Sequence, residues 1–426
     1  MAREIKLITP EYIEDYLTIY LNAYPAYKNT GEEGRNKYRP VFLRSMAEDK
    51  HIHFYGLFED GQLIAQMKLI DFDMNAFGKM VKATGLMALG VHPMYKKKGA
   101  ARDMVKFFEK YTEESGAIVS MLLPFRMDFY RNMGYGYGSK MDEYILPATS
   151  LPAADKESMK NVTFINADDK ATDMILECYS KFAANYHGMC QKFENEIDDY
   201  YGDSETHRVG YFEGKELMGY VTYDINCMSD TNYTLNRLEV KELVYLNQKA
   251  LKVLLGFLRN QSDLCETVII RTGEPDFHHI LPSAQNISGH YTDFGFLETN
   301  TSSIGTMYKI TDPAKFVMET AHRKFIPFDL TVRFEYFNEL EHCDDAFGVK
   351  FTTEGKWELY GDVTKEDCFD VTVKCNLADL SSLLMGSADF GALARLGVVE
   401  LSKDGYADIL DMLLHVSQKP WTNTDY

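Results

Sequence analysis

The sequence predicts an α+β chain of mixed sheets, divided into three domains. Three observations carry this. A strand-length apolar run, Leu86 to Val91, turns through His92-Pro93 and a lysine-glycine loop into a stretch of helical period. A two-strand pattern just before that run recurs later in the chain. The last third sets clusters of strands between helices, the arrangement of an α+β domain.

The first domain opens with a short strand, Ile5 to Ile8. Thr9-Pro10-Glu11 then starts a helix, with Thr9 as N-cap and proline at the first helical position. Ala23 to Pro40 is polar and rich in Tyr, Pro and Gly, and reads as a loop or broken helix able to cover an acceptor. Phe54–Glu59 and Leu63–Phe72 read as strands joined by an Asp60-Gly61 turn. After Gly99, apolar residues fall at Ala101, Met104, Val105, Phe108 and Tyr111, one face of a helix. The strand Ala117–Leu123 follows, then Pro124 and a short helix ending at Gly134. That helix brings Tyr130 near the end of the strand.

Pro147–Ala154 reads as a linker, and beyond it the pattern starts again. Gly56, Phe58, Glu59 and Leu63 recur in step as Gly210, Phe212, Glu213 and Leu217. A strand Leu238–Tyr245 then leads into a helix with Leu251, Leu254, Leu255 and Leu258 on one face. The link here is Leu246-Asn247-Gln248, without glycine or lysine cluster, so this copy is expected not to bind what the loop of the first copy binds. Met307–Pro313 opens a third segment. The ending, Lys419-Pro420-Trp421 to Tyr426, is too aromatic for a frayed tail and is expected to dock.

With 426 residues, 45% of them hydrophobic, the chain can bury several cores. A net charge of −19 argues against nucleic-acid or anionic-membrane partners. The seven cysteines are scattered, absent from the first domain and without Cys-x-x-Cys or zinc spacing. No metal is expected, and free thiols in a reducing cytoplasm are. The adjacent His278-His279 pair reads as loop surface. Glu32-Glu33, Asp198-Asp199 and Asp344-Asp345 read as solvated charge. The N-terminus lacks the apolar run of a signal peptide, and no stretch is long enough to span a bilayer.

The chemistry of the central stretch follows from its order of parts. A helix N-terminus presents unpaired N–H groups and partial positive charge, which favour an anion. Three lysines alone describe a solvated turn. In a strand–loop–helix setting, Lys96-x-x-Gly99-x-Ala101 resembles the (Gln/Arg)-x-x-Gly-x-(Gly/Ala) acyl-CoA loop of the GNAT acetyltransferases. Lysine in the first position keeps the charge but gives up arginine's planar, bidentate geometry.

Together with the Phe129–Gly136 block, the Met307–Pro313 opening and the Pro420–Tyr426 ending, the chain resembles the enhanced-intracellular-survival (Eis-type) acetyltransferases. These are tandem GNAT proteins with a C-terminal sterol-carrier-like domain. The resemblance implies a catalytic domain over 1–148, a degenerate second GNAT-like domain over 149–303 and a sterol-carrier-like domain over 304–426. It implies acetyl-CoA along Leu89, Gly90 and Val91, with the pyrophosphate over Lys96, Lys97, Lys98, Gly99, Ala100, Ala101 and Arg102. Phe125 and Arg126 would border the cofactor; the family can carry a small polar residue where Phe125 stands. Tyr130 matches the family's proton donor, and the terminal carboxylate, here Tyr426, its general base, with Asp425 as a neighbouring acid. It further implies a hexamer and an amine acceptor: an aminoglycoside, a polyamine or a lysine.

Transfer from a thioester to an amine needs a base for the amine proton, donors for the oxyanion and a proton for the thiolate. Tyrosine (pKa about 10) is a weak acid towards a thiolate (about 8.5), so Tyr130 is expected to act chiefly by hydrogen bonding to sulfur. The different-class alternatives are a hydrophobic-ligand carrier and a CoA sensor with a silent transferase domain.

Overall fold

The computed structural model describes residues 3–24, 30–166, 169–197, 206–290 and 295–424. By its internal contacts the chain divides into two units. One takes residues 1–138 with 306–416, the other 139–305 with 417–425.

The first unit begins β1 (Arg3–Leu7), α1 (Ile13–Ala23), α2 (Glu32–Glu48), β2 (Ile52–Glu59), β3 (Gln62–Ala76), β4 (Lys79–Val91). It continues with α3 (Ala100–Glu114), β5 (Val119–Leu122), α4 (Met127–Arg131) and β6 (Gly136–Tyr137). Asp60 and Gly61 take φ of 48° and 85°, the two left-handed positions of the tight hairpin turn their sequence predicts. The helical period after Gly99 is α3, which buries Met104, Val105 and Phe108.

The expectation of a loop or broken helix up to Pro40 needs correcting. Glu32 to Glu48 is one α-helix with Pro40 inside it. Its buried residues are Gly34 and Phe42 alone, so its sequence shows almost no apolar stripe. Phe42 anchors it edge-on against Tyr16 (5.0 Å) and Tyr20 (4.9 Å) of α1. Tertiary packing thus supplies what composition withholds.

The second unit contains β7 (Lys140–Pro147), α5 (Lys156–Met159), β8 (Val162–Phe164), α6 (Asp169–Ala183), β9 (Thr206–Glu213) and β10 (Glu216–Cys227). Then come β11 (Asn236–Tyr245), α7 (Gln248–Arg259), β12 (Thr267–Thr272) and β13 (Thr301–Ile304). Its seven-stranded sheet runs β13-β7-β12-β11-β10-β9-β8. The repeat of Gly, Phe, Glu and Leu maps onto β9 and β10, paired antiparallel like β2 and β3.

The chain returns to the first unit with β14 (Met307–Lys309) and α8 (Pro313–Glu319). A five-stranded sheet follows, β17 (Trp357–Leu359), β16 (Cys343–Phe351), β15 (Leu330–Asn338), β18 (Val371–Asn376), β19 (Glu400–Leu401) in spatial order. With it are α9 (Leu377–Leu384), α10 (Phe390–Arg395) and α11 (Ala407–Leu414).

The first sheet has the order β1-β2-β3-β4-β5-β14-β6. β14 lies antiparallel between β5 (Tyr308 opposite Met121) and β6 (Tyr308 opposite Gly136). In the second sheet β7 fills the corresponding slot between β12 and β13. The first sheet is therefore completed by a strand that follows the whole of 139–305 in the sequence, whereas β7 belongs to the second unit's own run. A boundary drawn along the sequence at 148 passes just beyond β7, and one at 303 cuts β13 before its last residue.

The tail docks within the second unit. Trp421 packs edge-on to Phe182 and Tyr186, both at 6.4 Å. Its N–H donates to the His187 carbonyl (3.3 Å), and Thr422 accepts from the Cys190 N–H (3.4 Å). Asp425 and Tyr426 lie outside the described residues. All seven cysteines are free. Among the described residues no helix is long and apolar enough to cross a membrane.

Candidate active site

The site begins with a defect in β4. Opposite β3, Gln66 pairs with Gly90 and Lys68 with Met87, so Ala88 and Leu89 together face Met67 alone. This is a β-bulge, and Ala88 carries it at φ 54°, a left-handed conformation that costs an alanine about 1 kcal/mol. On the other side β4 runs parallel to β5 only from Ala83 opposite Val119 to Leu86 opposite Leu122. Beyond that β4 continues to Val91 without β5, and the two strands part.

The parting opens a cleft of about 420 Å³. Its walls are Leu86–Leu89 and Val91 from β4, Leu123–Arg126 after β5, Phe129 and Tyr130 of α4, Ala101 of α3, and Tyr20, Ala23 and Tyr24 from the end of α1. The mouth of the loop turns into α3. Lys97 and Gly99 both have positive φ, 61° and 86°, and Gly99 is the N-cap without a side chain to occupy the first N–H groups. Arg3 holds this turn from behind, donating to the Lys98 carbonyl (3.1 Å) and pairing with Asp103 (2.6 Å). That contact engages the one acidic residue in the first turn of α3, so the helix end faces solvent with lysines around it.

Of the residues singled out in the sequence, Leu89, Val91, Ala101, Phe125, Arg126 and Tyr130 line the cleft. Gly90 is not on the wall, and a Cβ there would meet Ile19 and Ala23 of α1 at 3.0 and 3.2 Å. Lys96, Lys97 and Lys98 are exposed, Lys98 over the Tyr95 ring (5.1 Å), and Ala100 is buried in the first turn of α3. Arg102 turns from the loop and donates to the Leu340 carbonyl. Arg126 pairs with its neighbour Asp128. Phe125 is 77% exposed, edge-on to Tyr24 at 6.4 Å. Tyr426 is outside the described residues.

Tyr130 is buried, with Phe129 (5.0 Å) and Tyr135 (5.9 Å) edge-on around its ring. Burial, and secondarily the neighbouring Tyr24, push its hydroxyl pKa well up, so it keeps its proton at neutral pH.

Three cleft residues escape the sequence reading. Tyr20 and Tyr24 stand one helical turn apart on α1, a spacing that signals a shared face. Tyr24 donates to the Leu89 carbonyl (3.2 Å), tying α1 to the bulge. Ala88 carries no sequence signal, because its φ is imposed by the strand on either side.

The second unit repeats the frame with different chemistry. At the start of α7 the Asn247 side chain accepts from the Ala250 N–H (2.8 Å), so that helix end is capped by its own residue. At Asp276, His278 and His279 three ligand-type atoms lie within 4.8 Å of one another, with Asp276 and His279 exposed.

Comparison with known proteins agrees with this frame. Residues 4–138 match an acetyltransferase (GNAT) domain model, and residues 188–293 match a second one. A GCN5-related N-acetyltransferase from Anabaena variabilis has a TM-score of 0.77 at 15% identity, with 99% of each chain covered. A conserved protein of unknown function from Enterococcus faecalis, described as a probable N-acyltransferase, gives 0.76 at 17%, covering 100% of both chains. Eis1 from Mycobacterium abscessus gives 0.75 at 17%, again over 100% of both. No curated protein matches. At these identities the structures speak for the fold. The chain therefore carries two domains of the acetyltransferase (GNAT) type in tandem, over residues 4–138 and 188–293.

Proposed function

We propose that the first domain transfers an acetyl group from acetyl-CoA to a primary amine, directly and without an acyl-enzyme. The observation that carries this is the conjunction of the parted strands, the uncapped α3 N-terminus at Gly99 and the buried, protonated Tyr130 around one cleft. Acetyl-CoA, when bound, supplies the acetyl group as a thioester. Backbone of β4 beyond Leu86 lacks β5 as a partner and is available to hold an extended ligand arm. The α3 N–H groups and Lys96–Lys98 suit a pyrophosphate. Tyr130 hydrogen-bonds the departing sulfur and stabilises its negative charge. No cysteine lies in residues 1–138, consistent with direct transfer.

The amine proton requires a base. By resemblance this is the carboxylate of Tyr426, helped by Asp425, and burial in a cleft would raise its pKa above the usual 3.3–3.7 or so. The same resemblance makes residues 304–426 sterol-carrier-like, and an oligomer, a hexamer in the family, the working form in the cytoplasm. The acceptor is an aminoglycoside-, polyamine- or lysine-like amine.

The test is thiol release from acetyl-CoA over a panel of such amines, with the chain as it stands and with a few residues added after Tyr426. Loss of turnover in the lengthened chain, with CoA binding intact, supports the terminal base. Equal turnover moves the base to a side chain. No turnover with any amine, while CoA still binds, points to a sensor instead.

A further inference from the structure

Tyr130 sits in a short segment, residues 127–137, whose own secondary structure is slight: five residues of α4 and two of β6. Such a segment does not hold a side chain in place by itself. Around it, the charged groups that fix it come from residues 306–416, far along the sequence, and β5 adds a hydrogen bond from Ser120 to Tyr135 (3.3 Å).

Arg131, next to Tyr130, makes a two-pronged ion pair with Asp379 at the start of α9 (2.9 and 3.0 Å). The same guanidinium lies over the Tyr137 ring at 4.8 Å. Asp379 is nearly buried, with its side chain 10% exposed. Lys309 of β14, 1% exposed, donates to the Met133 carbonyl (2.8 Å) and pairs with Glu109 of α3 (2.6 Å). Its ammonium also stands 6.0 Å from the Tyr135 ring, which is itself edge-on to Tyr130. Ser382 and Ser387 both donate to the Tyr137 carbonyl (2.9 and 2.7 Å). Gly136 passes so close to Ala378 and Ser382 of α9 that any side chain would collide. Glu339 accepts from the Ala378 N–H (3.2 Å), and a Cβ on Gly134 would lie 3.3 Å from it.

The pattern is one-sided. Charged and hydrogen-bonding groups of the later segment close on the residues immediately after Tyr130, and none of them lines the cleft. A buried ion pair of this kind adds little net stability, because both charges lose water. Its geometric effect is large, since a planar guanidinium on a carboxylate fixes orientation as well as distance. We infer that residues 306–416 serve the first domain as a positioning element for Tyr130, with Arg131–Asp379 and Lys309 as positioning residues. The proposal rests on the reading of Tyr130 as the group that bonds the departing sulfur.

The test uses the full chain with Asp379→Asn, which keeps the shape and removes the charge, and Arg131→Lys, which keeps the charge and loses the fork. Thiol release from acetyl-CoA is measured with spermidine, kanamycin and N-acetyl-lysine amide, alongside hydrogen exchange of residues 127–137. We expect kcat to fall about 10- to 100-fold, as a misplacement of roughly 1 Å does, with the KM for acetyl-CoA within about twofold. Exchange in 127–137 should rise while β2 and β3 keep their protection. Asp379→Asn placed on Tyr130→Phe should then add little. If instead it slows the Tyr130→Phe protein by the same factor, the pair acts elsewhere and the inference falls. If the parent protein accepts none of the three amines, the transfer reading is what has failed with them. The exchange then decides alone: loosening of 127–137 supports positioning, and unchanged exchange overturns it. Arg131→Lys guards against misfolding of the first variant and is expected to show the same split with a smaller drop.

Discussion

The two GNAT domains differ most where they are most alike. In both, the fourth strand of the repeat outruns its parallel neighbour and then bulges. β4 passes the last β5 pair at Leu86, and β11 passes its last β12 pair at Glu239 and runs on to Tyr245. In the first domain the space so made is the cleft, with Tyr20 and Tyr24 from α1 on its wall. In the second, Phe182 of α6 and Tyr186 beyond it stand against Tyr245 and against Trp421 of the tail. Trp421 also lies directly over Gly273, one residue past β12, where a Cβ would meet its ring at 2.5 Å. The chain's own tail therefore occupies the strand parting in the second copy. The helix that follows differs to match: α3 begins at an uncapped glycine, α7 at an asparagine that serves its own N–H. At this place the two copies differ by an occupant and a cap, with no change of architecture.

The largest effect should come from spoiling the open helix end. Gly99→Asp puts a side chain at φ 86° and a carboxylate where an anion is to bind. Strain of roughly 1–2 kcal/mol and a comparable electrostatic term together weaken CoA binding by about 100-fold or more. Calorimetric titration with CoA should read one site per chain in the parent and in Asn247→Gly, and the hundredfold loss in Gly99→Asp. A second CoA site appearing in Asn247→Gly would break the comparison, because the cap alone would then explain the difference and the tail would not act as an occupant.

Next in size is the occupant. Trp421→Ala removes a ring packed on Phe182, Tyr186 and Gly273, and large-to-small changes at an aromatic cost about 3–5 kcal/mol when fully buried. Trp421 is half-buried, so we expect about 2–3 kcal/mol, read as a lower urea midpoint for the second unit. Added indole should restore part of it by filling the space, as a ligand that binds only the folded state does. An unchanged midpoint would mean that the tail rests on the second unit without supporting it.

How much of this could be read beforehand follows the range of the interactions. The Asp60-Gly61 hairpin, the period of α3 and the recurrence of Gly56 as Gly210 are local signals, and they mark real elements. The loop around Gly99 was legible because a helix N-terminus and its glycine are neighbours in sequence. Pro40 misled because a helix that buries Phe42 alone in its second half shows no stripe. Ala88 was silent for a different reason: an alanine at positive φ is dictated by the mismatch between β3 and β4, and no residue type announces it. The place of β14 in the first sheet was equally hidden, since its three residues, Met307–Lys309, take their place from partners some 170 to 190 positions away. Tyr20 and Tyr24 were within reach, spaced i to i+4, but stood in a segment whose polar continuation drew the eye to loops.

The smallest expected effect concerns Lys68, and it sharpens the comparison at depth. Carrying the repeat from Leu63–Leu217 onward, its counterpart in the second domain is Thr222, which accepts from Arg208 (3.1 Å). In that second core Lys192 pairs with Glu242 at 2.7 Å, and Tyr220 donates to the same carboxylate (2.8 Å). Lys68 makes no ion pair among the described residues; its ammonium lies over Phe42 (5.2 Å) and Phe54 (5.6 Å). Burial lowers its pKa to about 8. The folded state thus binds its proton less readily than the unfolded one, whose lysine titrates near 10.4 or so. Below pH 8 both states carry the charge and the folded state bears the whole penalty. Between about 8 and 10.4 the unfolded chain holds more protons, so stability rises with pH. Lys68→Met removes the penalty at every pH. It should stabilise the first unit by about 1–2 kcal/mol at pH 7, discounted for partial exposure and the lost ring contacts. That gain should shrink steadily as the pH is raised from 8 to 10. Urea midpoints of the two proteins across that window check it. A difference that stays constant with pH would show that the first domain tolerates this lysine as an ordinary surface charge, and that the contrast with the paired Lys192 does not extend to it.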